Sequence, residues 1–235
     1  MKTVVIIPTY NEAGNIAPVV SGLLDLKETG VEILVVDDDS PDGTSGIVAR
    51  LAERAPRVHL LSRSDRRGRG RAGQAGFLWA LDHGADCIGE MDGDGSHDPA
   101  SLPRLLEPIR QNRADVVIGS RFIAGGAVEG RQWFRDRISG LARAYIGWVL
   151  GIPVNDPTSG YRLFTREALE SIDPRSLTAP DPFIVTEVLY RCYRKGLRVT
   201  EVPIIFRQRK LGVSKLNSRV LTAYLFRVWK LKYIK

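Results

Sequence analysis

Val4-Val5-Ile6-Ile7-Pro8-Thr9-Tyr10-Asn11-Glu12 opens the chain with four consecutive apolar residues that break into a polar loop. The same figure returns at Ile33-Leu34-Val35-Val36-Asp37-Asp38-Asp39 and at Cys87-Ile88-Gly89-Glu90-Met91-Asp92-Gly93-Asp94. His59-Leu60-Leu61 and Val116-Val117-Ile118 are shorter runs of the same kind. An apolar run without alternation suits a parallel strand covered on both faces. Helical periodicity over 16–26, 45–53, 72–81 and 101–110 fills the intervals. Alternation of this kind builds βαβ units with right-handed crossovers and a mostly parallel sheet. Ligands of such sheets bind beyond the carboxyl ends of the strands, where the polar loops lie. The expected class is therefore α/β, a Rossmann-like sheet flanked by helices.

After Ser120 the pattern changes. Residues 125–130 (Gly-Gly-Ala-Val-Glu-Gly) read as a mobile loop, and Trp133–Leu150 as an amphipathic helix or two. Asp156-Pro157-Thr158-Ser159-Gly160 is turn chemistry. A helix is expected over 183–195, one strand over 199–206, and a last helix over 218–235. No repeat or linker interrupts the 235 residues, so a single domain, 1–235, is expected.

Composition narrows the function. With 43% hydrophobic and 26% charged residues the chain is an ordinary globular protein. Its two cysteines, Cys87 and Cys192, form no CxxC pair, which excludes a zinc ribbon or disulfide framework and suits a reducing compartment. No apolar run reaches the roughly 18 residues of a spanning helix, and no signal peptide is visible. A cytoplasmic protein is expected. The net charge is +7, yet residues 202–235 hold nine Lys/Arg and no acid, leaving −2 for residues 1–201. That balance argues against nucleic acid as partner and for an anionic surface or substrate at the basic end.

The loops carry the chemistry. Pro8-Thr9-Tyr10-Asn11-Glu12 offers an aromatic ring and a carboxylate to a nucleoside, or a cap by Asn11 for the next helix. Asp37-Asp38-Asp39 exceeds what helix capping requires and suits hydroxyl recognition or cations, with Asp42 or Thr44 left as a cap. Asp92-Gly93-Asp94 sets alternate carboxylates on one side of a strand end, where they can grip a hard divalent ion shared with phosphates. An Asx-turn capping the 101–110 helix is the rival. A calcium loop is excluded, since Pro103 stands where its last glutamate would be. His97 reads as a loop hydrogen-bonder rather than a metal ligand. Arg63, Arg66, Arg67, Arg69 and Arg71 lie among Gly68, Gly70, Gly73 and Gly76, either a phosphate cradle or a solvated loop. Arg135 and Ser139, four apart on a helix, share a face. Arg209, Gly212, Ser214 and Lys215 follow a strand, in a loop able to bring cations over a nucleotide.

Taken together, these motifs and Gly119-Ser120-Arg121, Arg135-x-x-x-Ser139, 156–162 and Arg209-x-x-Gly212-x-Ser214-Lys215 resemble the family-2 glycosyltransferases of GT-A fold. Within them the pattern is most similar to the dolichol- or polyprenol-phosphate mannose synthases. The resemblance implies that Pro8, Tyr10, Glu12, Val36 and Asp38 bind the nucleotide of a sugar donor, GDP-mannose. It implies that Asp92 and Gly93 contact nucleotide or sugar and that Asp94 ligates Mg²⁺ or Mn²⁺. Arg121, Arg135 and Ser139 would meet the phosphate of a polyprenyl acceptor, and Arg209 and Lys215 would close over the diphosphate. Asp92, Asp94, Arg121, Arg209 and Lys215 are then the catalytic set. The same fold with UDP-glucose or another nucleotide sugar is an alternative, as is a non-catalytic membrane-surface or partner subunit.

Two features depart from that family. Transmembrane helices, common in relatives, are absent here, and Gly68-Arg69-Gly70 carries arginine where a glycine–leucine–glycine pattern is usual. In the last helix Val220, Leu221, Tyr224, Leu225, Val228 and Leu231 fall on one side, with Arg219, Arg227 and Lys230 opposite. That arrangement suits a helix lying in a lipid interface. A peripheral position on the cytosolic face of a membrane is expected, with a small membrane-protein partner.

Overall fold

The computed structural model describes residues 1–65, 67–130, 133–207 and 218–233, with the backbone alone for 133–139 and 218–223. Nine strands are described: β1 (Thr3–Thr9), β2 (Val31–Asp37), β3 (Val58–Ser62), β4 (Cys87–Glu90), β5 (Val116–Ser120), β6 (Ala127–Glu129), β7 (Arg162–Thr165), β8 (Val199–Pro203) and β9 (Ile205–Arg207). The helices are α1 (Ile16–Leu24), α2 (Thr44–Arg54), α3 (Arg69–Asp82), α4 (Leu102–Arg110), α5 (Trp133–Leu150), α6 (Arg166–Ser171), α7 (Ile184–Arg194) and α8 (Ser218–Leu231). Seven strands make one sheet in the order β3-β2-β1-β4-β7-β5-β8, parallel except for β7. β6 and β9 pair separately.

The apolar runs split between two cores because successive residues of a strand face opposite sides. Val4, Ile6, Leu34 and Val36 pack with Phe77, Ile146, Leu189 and Val228, on the side of α3, α5, α7 and α8. Val5, Ile7, Ile33 and Val35 pack with Ile16, Val20, Val48 and Leu105, on the side of α1, α2 and α4. Each fully buried side chain of this size is worth about 1.5–3 kcal/mol of transfer free energy. The parallel arrangement brings the ends of β1, β2 and β4, and the loops that follow them, to one edge of the sheet.

Three expectations are corrected. β7 follows the turn 156–160, in a stretch where no strand is expected; it runs antiparallel between β4 and β5, with Arg162 opposite Glu90. Residues 125–130 are not simply a loop, since β6 pairs there with β9. The expected strand 199–206 is two strands, β8 in the large sheet and β9 in the small one.

The last helix also differs from its sequence pattern. Val228 and Leu231 are buried in the core and Tyr224 packs against it. Tyr145 Oη donates to Leu225 O, tying α5 to α8. In the described part of the expected lipid-facing stripe, Tyr224, Val228 and Leu231 are therefore covered by protein. Facing outward instead are Phe226, Trp229 and Tyr233, whose rings contact one another, with Leu141 and Trp148 exposed on α5. No helix among the described residues is long and apolar enough to cross a membrane.

Candidate active site

A cleft of about 610 Å³ opens at the carboxyl edge of the sheet. Pro8, Thr9, Tyr10 and Glu12 line it from the β1 loop, Asp38 from the β2 loop, and Asp92, Gly93 and Asp94 from the β4 loop. Arg67, Gly68, Arg69 and Ala72 line it from the start of α3, with Thr158 and Gly160 beside β7 and Asp181, Pro182 and Val185 before and within α7.

Strand geometry explains the gathering. The β1 loop is pinned to the β2 loop by Asn11 N–H donating to Ser40 Oγ at 2.9 Å and Glu12 N–H to Thr44 Oγ1 at 3.0 Å. Asn11 adopts φ +61° and does not cap α1; Asn15 stands at that position. Asp42 does serve as a local brace, accepting from Thr44 N–H and Oγ1 and from Ala13 N–H.

The three consecutive acids have three fates. Asp37 is fully buried and accepts from Thr9 Oγ1, Ser40 N–H and Ser40 Oγ. Asp38 lines the cleft, accepting from Arg63 and from Gly68 N–H at 2.7 Å. Burial holds its carboxyl above the ordinary value, against the pull of Gly68 N–H and Arg63. Asp39, at φ +55°, pairs on the surface with Arg67. Arg67 also lies 5.2 Å over the Tyr10 ring, so an aromatic face and a cation stand together at the rim.

In the β4 loop Asp94 Oδ1 accepts from Ser96 N–H at 3.0 Å and Ser96 Oγ at 2.5 Å, which fixes its carboxylate. Asp92 N–H donates to His97 Nδ1, and Asp92 Oδ1 accepts from Arg69 at 3.2 Å. Burial pulls the His97 pKa below its ordinary value, so the ring is neutral at pH 7 and acts as a loop hydrogen-bonder. Asp98, next along, caps the short turn Pro99–Ser101 by accepting from Ala100 N–H. The Asx-cap reading thus holds for Asp98, while Asp92 and Asp94 face the cleft.

Carboxylate oxygens are the donor type that Mg²⁺ and Mn²⁺ prefer. Among the described residues no group of three or more His, Cys, Asp or Glu could hold a metal. Asp92 and Asp94 therefore fit an ion that completes its shell with phosphate and water, as Mg²⁺ commonly does.

The remaining residues singled out in the sequence are placed differently. Val36 is sealed in the core, so only its main chain is near the loop. Arg121 gives Nε and Nη2 to Asp156, at 2.7 Å each, and Nη2 also to Thr158. Burial would raise the Asp156 pKa, but Arg121's hydrogen bonds and charge outweigh it and hold the carboxyl below the ordinary value. Arg135 and Ser139 lie on α5, where only the backbone is described, and Arg66, Arg209 and Lys215 lie outside the described residues. Arg207, just before that last segment, donates its N–H to Ser96 O at 2.9 Å.

Two buried charges and a half-buried one are placed by the fold in ways their local sequence does not announce. Arg162 is 1% exposed, lies within a strand, and donates to the carbonyls of Pro157, Ser159 and Val185; burial pulls its pKa down to about 10. Glu90 ends an apolar strand and Arg69 begins a helix, and they pair at 2.8 Å. Burial pushes the Glu90 pKa up.

Residues 4–173 match the family described as Glycosyl transferase family 2. The polyprenol monophosphomannose synthase of Mycolicibacterium smegmatis is 42% identical over 228 residues, covering 97% of this chain and 85% of that protein. The undecaprenyl-phosphate mannosyltransferase of Micrococcus luteus is 40% identical, covering 94% and 90%. The dolichol-phosphate mannosyltransferase of Pyrococcus furiosus is 34% identical over 98% of this chain, which spans 64% of that longer protein. Among solved structures, glucosyl-3-phosphoglycerate synthase from Mycobacterium tuberculosis with Mn²⁺, UDP and phosphoglyceric acid superposes with TM-score 0.73 at 21% identity, covering 100% of this chain and 79% of that one. At that identity the likeness establishes the GT-A fold. With the strand order, the cleft and the sequence match in agreement, this chain belongs to the family 2 glycosyltransferases.

Proposed function

We propose that this chain, acting as one domain, transfers mannose from GDP-mannose to a polyprenyl phosphate with inversion, giving the β-linked polyprenyl mannosyl phosphate. The observation that carries the reading is Asp92 and Asp94 lining the same cleft as Tyr10, Glu12 and Asp38, in a chain 42% identical to a polyprenol monophosphomannose synthase.

In this reading Tyr10 and Arg67 flank the base while Glu12 and Asp38 accept from nucleoside hydroxyls. Asp92 and Asp94 hold Mg²⁺ or Mn²⁺ against the diphosphate; bound there, the ion supplies charge stabilisation to the departing nucleotide. The acceptor phosphate is already an anion at pH 7, so its oxygen attacks the anomeric carbon without a general base. The neutral, buried His97 agrees with that economy. Arg209 and Lys215 act on the diphosphate; Arg207, two residues before Arg209 in the sequence, is tied by its N–H to Ser96 O in the β4 loop. Arg135 and Ser139 receive the acceptor phosphate. Arg121, already bound by Asp156, keeps Nη1 for it among the described residues. The exposed Phe226, Trp229 and Tyr233 anchor the protein at the cytosolic surface of a membrane, as interfacial aromatic rings do, with a small membrane protein as partner.

The test is transfer from labelled GDP-mannose to a short polyprenyl phosphate with Mg²⁺ or Mn²⁺, beside a panel of UDP- and dTDP-sugars. Product from GDP-mannose alone, lost on chelation, is expected. Preference for UDP-glucose, or undiminished transfer without metal, overturns the reading.

A further inference from the structure

Arg69 stands in the first turn of α3, where a cation opposes the helix dipole and a solvated arginine would turn outward. It turns inward. Nη1 donates to Glu90 Oε1 at 2.8 Å and Nη2 to Asp92 Oδ1 at 3.2 Å. The Glu90 side chain is 3% exposed and that of Asp92 35%, so one arm of the fork lies in the interior and the other at the cleft. The surrounding backbone leaves room for this trio. A Cβ on Gly73 would stand 2.7 Å from Glu90 Oε1, and one on Gly160 would stand 3.0–3.2 Å from both Asp92 oxygens and Arg69 Nη2. A solvated loop needs no such clearance. A phosphate cradle is also a poor account, because two carboxylates around one guanidinium leave the group net negative.

We propose that Arg69 is a positioning residue that, anchored on Glu90, sets the carboxylate of Asp92 towards the metal–diphosphate group of the donor. The inference rests on the donor reading above. Asp92 is a short side chain on a loop, and its orientation is decided by what donates to it. Its N–H is fixed on His97 Nδ1, and Gly160 closes one side. Arg69 donates to Oδ1 from the interior side, and Glu90 stops the guanidinium from following Asp92 into the cleft. A planar fork can hold two carboxylates at once, which the point charge of lysine does less well. Groups that orient metal ligands commonly control affinity without touching the metal.

Removing Arg69 alone would leave Glu90 as an uncompensated buried charge, which is destabilising by itself. Exchanging both for apolar residues removes the pair together, which is often neutral for stability; Arg162, whose charge Glu90 also supports, keeps its three carbonyl acceptors, and thermal unfolding checks that the variant folds. The experiment is calorimetric titration of GDP into the full chain, with and without MnCl₂, for wild type, Arg69→Leu/Glu90→Leu and Arg69→Lys. In wild type Mn²⁺ is expected to tighten GDP binding. In the double variant this enhancement should fall by about 10–100-fold, while GDP alone binds as in wild type. Arg69→Lys should lose less. An unchanged enhancement in either variant overturns the proposal, as does an equal loss of GDP affinity with and without Mn²⁺. If Mn²⁺ does nothing for wild type, the donor reading itself fails and takes this inference with it.

Discussion

Two acidic loops leave the same edge of the sheet with nearly the same side chains, and the fold treats them in opposite ways. After β2, Asp37 is enclosed by three donors from Thr9 and Ser40, Asp38 meets Arg63 and Gly68, and Asp39 meets Arg67. After β4, Asp92 and Asp94 line the cleft, with Arg69 donating to Asp92 Oδ1 and Ser96 N–H and Oγ to Asp94 Oδ1. The difference teaches that a carboxylate's role follows from the donors around it. Asp37, saturated in the interior by the fold's own N–H and O–H groups, joins strands; Asp38, Asp92 and Asp94, held at the cleft wall, can still take a ligand.

The largest expected effect lies in the β4 loop. Asp94→Ala should lower transfer on the order of 10²–10³-fold with the melting temperature nearly unchanged, checked by product assay and thermal unfolding. A large drop in melting temperature would move Asp94 into the class of Asp37 and break the contrast. Asp37→Ala should do the reverse. It leaves buried donors unpaired and should cost about 2–3 kcal/mol in urea unfolding, while the folded fraction still binds GDP. Intact stability in that variant would mean that the β2 loop is held by something other than its first acid.

Asp156 extends the comparison to a third loop, again saturated, here by Arg121. Its carboxyl titrates below the ordinary 3.8, so its contribution to stability is present at neutral pH and is lost as pH falls from near that value through the lower folded-state pKa. Wild type should therefore lose stability more steeply than Asp156→Asn below about pH 4, in acid titrations followed by circular dichroism. Parallel curves would remove Asp156 from the saturated class. Tyr161 gives the smallest effect and the opposite sign. Its buried Oη has no hydrogen-bond partner among the described residues, so Tyr161→Phe should be neutral or stabilising by up to about 1 kcal/mol in urea unfolding. A loss would point to a bridging water.

Most elements were legible because apolar runs and helical periods report burial directly. β1 to β5 fall within two residues or so of the runs 4–7, 33–36, 59–61, 87–91 and 116–118. β7 was not legible, because Arg-Leu-Phe-Thr starts on a charge that only three distant or turn carbonyls can satisfy. The last helix misled in a different way. Its apolar stripe gave the right face but not the partner, since a period of 3.6 says that a face is buried without saying in what. For the cleft, strand ends named the loops, while Arg67, Gly68, Arg69, Thr158, Gly160 and Asp181 joined it through packing across the chain.

By itself the order of residues determined the α/β alternation, the edge at which the polar loops gather and the acids those loops present, because each is written in local pattern. Only the tertiary structure decided which acids are saturated and which face the cleft, that Arg69 and Glu90 meet beneath Asp92, and that Val228 and Leu231 of α8 face protein. Those outcomes depend on partners tens of residues apart, and a buried charge or an apolar stripe carries no mark of its partner until the chain has folded around it.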